Sequence, residues 1–338
     1  MTAITFPITF KVLACEEVAA PVTLIDWTID SLATEEVLVR VSHASINASD
    51  PIIQKRNIFR LTPPYVLGYD LSGTVVAEGQ ANPNDDIEVG SFVFGAVGIS
   101  GGCFGEYVKV KRTSVALRPD NATVSDAQAA AYGVAYLCAY SSLMIVDDIS
   151  KRAGQWAYVV GGGGGVGHFA VQLCKAYGLK VVASASKPEA LELLKSLGVD
   201  AVVDYSTQDV VAEVFAATNG KGADFVYNST CVDATFKQSA LVVASGGSWV
   251  RLGAWMLSAP GLVDEITEIV KKRGAEAKSP SVAGFEPSAG LKTVIRLHKE
   301  GNIVPHISKI VPFEAAAVQE ALDNFGKANA GKVVVKIM

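Results

Sequence analysis

The stretch "WAYVVGGGGGVGHFAVQLCKAYGLKVVASAS", Trp156 to Ser186, sets five consecutive glycines between two apolar runs. A run of glycine fits a flexible linker, because a chain without side chains is the least costly to leave mobile. It equally fits a backbone bared so that a ligand can sit against it. The flanking residues decide. "WAYVVGG" has the pattern of a short buried strand, and "VGHFAVQLCKAYG" reads as a helix closed by Gly178. A second strand, "KVVASAS", follows at once. The glycines thus lie between strand and helix, where Gly162, Gly164 and Gly167 satisfy G-x-G-x-x-G. In that context one glycine makes the tight turn, one admits a pyrophosphate, and one lets helix pack on strand. The helix opening near Val166 adds unpaired N–H groups and a positive dipole end. Gly162, Gly164, Gly165, Val166 and Gly167 are therefore the predicted dinucleotide cradle.

The end of the second strand selects the dinucleotide. An NAD site carries Asp or Glu about 20 residues beyond the glycines, holding the ribose 2′-OH. Here the chain reads Ser184, Ala185, Ser186, Lys187. A hydroxyl and an ammonium attract a 2′-phosphate that a carboxylate would repel. The expected cofactor is NADPH; the plain alternative makes Lys187 a first-turn surface residue beside Pro188.

Outward from this stretch, the alternation of strands and helices continues through "DAVVDYS", "ADFVYNST" and "GSWVRLGA". Apolar strands of four to six residues between helices imply a parallel sheet covered on both faces. From Val37 to about Lys111 the texture differs, with β-rich runs such as "EVLVRVSHASI" and "LSGTVVAEG" separated by Gly, Pro, Asn and Asp. The last fifty residues break the alternation again. The expected architecture is α/β: a β-rich domain formed by 1–126 and 286–338, enclosing a doubly wound parallel-sheet domain at 127–285.

The 338 residues exceed the usual single-core limit, which agrees with two domains. A net charge of −5 argues against nucleic acid, and the basic run Lys271-Lys272-Arg273 reads as a solvated helix end. The N-terminal "MTAITFPITFKVLACEE" has no basic segment followed by an apolar one, so no signal peptide is expected. The apolar stretch Ala129 to Val146 is as long as a membrane span, but Gly133 and the bracketing Asp126, Asp147 and Asp148 favour a helix buried between two domains. Five widely spaced cysteines without C-x-x-C spell neither a disulfide framework nor a zinc cluster; a reduced, cytoplasmic protein is expected.

With "SINASD" (Ser45–Asp50), "PYVLGYDLSGTVVAEG" (Pro64–Gly79), "GGCFGEYV" (Gly101–Val108) and the tail "PFEAAAVQEALDNFGKANAGKVVVKI", the chain resembles zinc-free medium-chain dehydrogenases/reductases of the quinone oxidoreductase (zeta-crystallin-like) and enoyl reductase branches. The resemblance covers nearly the whole length. It implies a GroES-like catalytic domain, a Rossmann domain, an active site in the cleft between them, and a homodimer joined near "SVAGF" (Ser281–Phe285). Zinc relatives place Cys near Asn47, Gly-His-Glu at Gly68-Tyr69-Asp70 and a third ligand near Tyr132; Asn47 and Tyr69 cannot replace Cys and His, so no metal is expected. Without a strong Lewis acid, the expected chemistry is hydride delivery to an electrophilic small molecule, a quinone or an α,β-unsaturated carbonyl.

The same resemblance assigns roles. Asn47 matches the asparagine that bonds near the nicotinamide ribose, and Asp50 an acid that orders the site, with an N-cap for the next turn as its alternative. Lys187 and Tyr205 match residues holding the 2′-phosphate, with Ser186 beside them. Leu252 and Gly253 fall under the nicotinamide, Phe285 at the cleft wall, and Asn329 where the returning domain reaches the cofactor. Cys138 stands where relatives carry a nicotinamide-holding threonine, and Ile58 where some enoyl reductases carry a tyrosine proton donor. Tyr69 and Tyr132 are left as candidate proton donors or stacking rings, as is Tyr136, with core packing as the alternative for each. Relatives carry Ala or Ser at Gly162 and Gly163, so those two are expected to be dispensable excess in a loose loop. Two other readings stand beside the reductase: an NADPH-binding protein with a sensing, structural or RNA-associated role, and a trans-acting enoyl-thioester reductase.

Overall fold

The computed structural model describes residues 4–80, 86–98, 101–118, 123–146, 149–253, 261–280, 287–327 and 330–338. Two compact units make up the chain: Met1–Leu137, Glu286–Lys299 and Val304–Met338 form the first, Cys138–Phe285 and Glu300–Ile303 the second.

The first unit opens with β1 (Ile8–Cys15), β2 (Val22–Ile29), β3 (Glu36–Ile46), α1 (Ser49–Arg56), β4 (Tyr65–Val66), β5 (Asp70–Glu78), β6 (Phe92–Ala96), β7 (Tyr107–Lys111) and β8 (Val115–Leu117). The expected single helix over Ala129 to Val146 is two helices, α2 (Asp126–Ala131) and α3 (Gly133–Met144). A capping box of Ser125 and Gln128 starts α2. The reason for the break is Asp70: its carboxylate accepts from the Val134 amide at 2.6 Å and occupies the space a Cβ on Gly133 would need.

The second unit alternates β9 (Trp156–Val160), α4 (Gly167–Ala176), β10 (Lys180–Ala185), α5 (Pro188–Ser196), β11 (Ala201–Asp204), α6 (Val210–Ala217), β12 (Ala223–Asn228), α7 (Asp233–Ala240), β13 (Val243–Arg251), α8 (Leu262–Lys272) and β14 (Glu276–Lys278). Its strands pair in parallel in the order β11-β10-β9-β12-β13-β14, a Rossmann-like sheet. Tyr158, Val182, Val226, Phe236 and Trp249 are among the side chains of its core. Covered on both faces, these strands are apolar at nearly every position, which is why the sequence shows runs rather than alternation.

The chain returns to the first unit with α9 (Pro287–Lys299), β15 (Ile307–Pro312), α10 (Ala315–Asp323) and β16 (Lys332–Lys336). There the order β15-β16-β3-β5-β6-β8 builds the GroES-like sheet, with β7 also on β3, and β2-β1-β4 form a second, smaller sheet. The eleven-residue β3 serves two partners on one edge: Glu36 to Arg40 pair with β7, and His43 to Ile46 pair with β16. Because Val333 lies opposite Ile46 in an antiparallel ladder, Lys332 falls beside Asn47.

Candidate functional site

In the second unit β9 is the point at which strand order reverses: β10 lies on one side of it and β12 on the other. Ligands of open α/β sheets bind outside the carboxyl ends of the strands at such a switch point. Two turns meet there. Gly161, in the left-handed region at φ +66°, would put a Cβ 3.0 Å from the Thr230 methyl on the turn after β12. The Thr230 hydroxyl and amide both bond to the Asn228 side chain, at 2.9 and 3.0 Å. Sequence reading passed over Asn228 and Thr230; their signal was the switch from apolar to polar residues in "VYNST".

The glycine loop is tight. The Gly162 amide bonds to the Ser184 carbonyl at 2.9 Å, and the buried Ser184 hydroxyl bonds to Tyr158 at 3.0 Å. A Cβ on Gly163 would lie 2.5 Å from the Ala190 Cβ of α5, and one on Gly162 2.9 Å from that of Ala183. At Gly167 it would overlap the Gly161 carbonyl oxygen, whereas at Gly164 it would meet only that oxygen, at 3.3 Å. The expectation that Gly162 and Gly163 are dispensable is therefore corrected: α5 and β10 press on them, and Gly164 has the open side. Among the described residues the amides of Gly165, Val166 and Gly167 have no hydrogen-bond partner. They lead into the ten-residue α4 and form an anion-binding helix start.

Ser186, Lys187 and Tyr205 gather at the ends of β10 and β11, tied by the Tyr205 amide to the Ala185 carbonyl at 3.1 Å. The Tyr205 ring is exposed, and the exposed Lys187 has no hydrogen bond or ion pair among the described residues. The strand-end carboxylate of Asp204 is occupied by the Ser206 amide and hydroxyl at 2.9 and 2.6 Å, which hold it below the usual carboxylate range. Leu252 and Gly253 follow β13, the Leu252 amide bonding to the Asn228 carbonyl at 2.9 Å. Cys138 is buried on α3, close enough to Tyr227 to help raise its phenol. Phe285 and Asn329 lie outside the described residues.

In the first unit the residues after β3 and before β5 come together as a buried polar cluster. Asp50 is fully buried; one carboxylate oxygen accepts the Asn47 amide at 2.6 Å, the other the Gly68 amide at 2.8 Å. Burial pushes this carboxyl up to about 7, against the pull of those two amides. Asp50 thus ties the turn of Asn47 to the segment entering β5. The Asn47 side chain donates to Asp70 at 2.9 Å and accepts from Lys332 at 2.7 Å, and Ser45 also donates to Asp70. Lys332 was not among the sequence-predicted site residues, since a lysine in a tail strand resembles a solvated edge.

Tyr69 and Tyr132 stand differently. The Tyr69 hydroxyl is buried with no partner among the described residues, and burial first, then the charge of Asp50, raises its phenol. The Tyr132 hydroxyl is hydrogen-bonded to His298 Nδ1 at 2.6 Å, its ring edge-on to Phe94 and Tyr136. Neither hydroxyl bonds to Asn47 or Asp50.

Two family models match: an alcohol dehydrogenase GroES-like domain over residues 33–120 and a zinc-binding dehydrogenase over 165–279. The chain belongs to the medium-chain dehydrogenase/reductase superfamily. It is 28% identical over 89% of its length to a probable quinone oxidoreductase of Leishmania amazonensis, covering 88% of that protein. With the 2-methylene-furan-3-one reductase of Solanum lycopersicum it shares 33% identity over 75% of this chain and 64% of the relative. Its fold matches that of the quinone oxidoreductase from Coxiella burnetii with a TM-score of 0.81 at 23% identity, over 98% of this chain and 100% of the other. The chain spans 13% of the length of the polyketide synthase subunits of Mycobacterium tuberculosis that it also matches, at 29% identity over 90% of this chain.

Zinc, which one family description names, does not fit the donor set here. An amide at Asn47 and a core-facing phenol at Tyr69 are poor zinc ligands, and among the described residues no three His, Cys, Asp or Glu side chains gather.

Proposed function

We propose that the protein is an NADPH-dependent reductase that transfers hydride, without a metal, to a quinone or an α,β-unsaturated carbonyl. One observation carries the cofactor choice: an exposed, unpaired Lys187 stands with Tyr205 at a strand end where no free carboxylate is available. The amides of Gly165, Val166 and Gly167 would hold the pyrophosphate, while Lys187 and Ser186 would hold the 2′-phosphate. The tight seat at Gly163 and Gly167 leaves the open side of Gly164 for this approach.

A reduced nicotinamide, when bound, supplies the hydride. The chain's own contribution is orientation and hydrogen bonding to the acceptor oxygen as it gains charge. Asn47 keeps one amide N–H and one carbonyl lone pair beyond its bonds to Asp70 and Lys332, and is the first unit's candidate for such a contact. Leu252, Gly253 and Cys138 are the second unit's candidates beside the nicotinamide. The named activities of the Leishmania and Solanum relatives support the acceptor classes.

Stopped-flow oxidation of NADPH by a small quinone and by an enone tests the reading. Tight NADPH binding with no turnover on either acceptor would reject it. The match to polyketide synthase subunits favours an acyl-thioester as a second acceptor class, and reduction of an enoyl-thioester but not of quinones would promote it.

A further inference from the structure

The cluster around Asn47 holds a donor-only cation and an acceptor-only anion on opposite sides of one side-chain amide. Lys332 is 2% exposed and its ammonium has three acceptors: the Ile46 carbonyl at 3.1 Å, Asn47 Oδ1 at 2.7 Å and Asp70 Oδ2 at 3.1 Å. Asp70 is wholly buried; its Oδ2 also takes Asn47 Nδ2 at 2.9 Å, and its Oδ1 takes the Val134 amide at 2.6 Å. A lysine ammonium cannot accept a hydrogen bond and an ionised carboxylate cannot donate one. Turning the Asn47 amide over would set its NH2 against the ammonium and its oxygen against the carboxylate. At this burial both contacts are costly, because no water is there to relieve them. Only one of the two amide orientations survives.

We propose that Lys332 is a positioning residue, which together with Asp70 locks the Asn47 amide in one orientation so that it presents a single N–H and a single lone pair to a ligand. The strand register supplies the device. β16 closes against the end of β3 with Val333 opposite Ile46, which carries a residue from the far end of the chain to the turn at Asn47. All members of the cluster belong to the first unit. The importance of this orientation for NADPH binding and turnover rests on the function proposed above; the lock itself does not.

Two arms test it. In selectively 15N-asparagine-labelled protein, the Asn47 side-chain NH2 pair is assigned by its loss in Asn47→Ser. Its hydrogen exchange is expected to be at least about 100-fold slower than that of a free asparagine amide, as for protected buried groups. Exchange at the free rate in the wild-type protein would overturn the lock without any recourse to variants. In the second arm, Lys332→Met combined with Asp70→Asn removes both orienting charges and leaves neither buried alone, a replacement that buried ion pairs often tolerate. Folding, followed by thermal unfolding, is expected to be retained, while NH2 protection is lost and the NADPH dissociation constant rises about fivefold to tenfold, the scale of one hydrogen bond. Lys332→Arg keeps a donor-only cation and should retain the slow exchange. A folded double variant with wild-type protection and wild-type NADPH affinity would overturn the proposal. If the wild-type protein reduces no quinone or enone, the proposed function fails, while the exchange measurement still decides the role of Lys332.

Discussion

Gly163 lies against Ala190: a Cβ added to the glycine would stand 2.5 Å from the alanine's Cβ and 3.0 Å from its Cα. The contact joins the phosphate loop to α5, so the loop's shape is set by a helix that follows the next strand. Gly163→Ala should cost about 1–3 kcal/mol in stability, the range for overpacking a close contact. Gly164→Ala should fold nearly as well as the wild type yet weaken NADPH binding, because its new methyl occupies the open side. Thermal unfolding paired with fluorescence titration of NADPH separates the two effects. A Gly163→Ala protein as stable as the wild type would show that α5 does not seat the loop.

Lys187→Glu should weaken NADPH binding by about 1–3 kcal/mol, the scale of a hydrogen bond to a charged group, and leave NADH nearly unchanged. Equal losses for the two cofactors, measured by titration, would place the 2′-phosphate elsewhere.

Asp50 makes stability depend on pH in a defined direction. Burial raises its carboxyl from 3.8 to about 7 in the folded chain, so folding favours the protonated form. A folded-state pKa above the unfolded value gives stability that is complete below about pH 4 and is lost as pH rises through about 7. Asp50→Asn cannot titrate. Its deficit relative to the wild type, from one lost backbone hydrogen bond, should be largest near pH 4 and should shrink by pH 8. Denaturant unfolding at a series of pH values measures the difference, and a constant deficit across that range would contradict the assignment.

Two tyrosines should separate in sign. The Tyr69 hydroxyl is buried without a partner among the described residues, so Tyr69→Phe should leave stability unchanged or raise it by about 1 kcal/mol. Tyr132→Phe removes the hydrogen bond to His298 and should lower stability by about 1 kcal/mol. If both hydroxyls serve only the core, neither change should lower kcat by more than about twofold, far less than the loss of a general acid. A larger fall in kcat at Tyr69, with stability intact, would restore it as a proton donor.

Much of the second unit was legible because its signals are local. Strand, glycine turn and helix follow one another from Trp156 to Ala176 with the expected boundaries, and the strand-end position of Lys187 follows by counting. The hairpin of β1 and β2 was not anticipated, since "VTLIDWTI" pairs with "ITFKVLAC" across a connection without a turn glycine. The break between α2 and α3 escaped as well. Its cause, the carboxylate of Asp70, is more than sixty residues away in sequence.

The sequence by itself determined that a parallel-sheet unit carries a phosphate-binding turn, because a turn's requirements are met by adjacent residues. It also placed Asn47 and Asp50 together, within one turn of chain. Only the tertiary structure decided which glycines are confined, since the confining atoms belong to Ala183 and Ala190. It alone brought Lys332 to Asn47, separated from it by nearly the whole chain. Pairing of β16 with β3 is a long-range choice of register, and no local pattern records which residue a register sets opposite another.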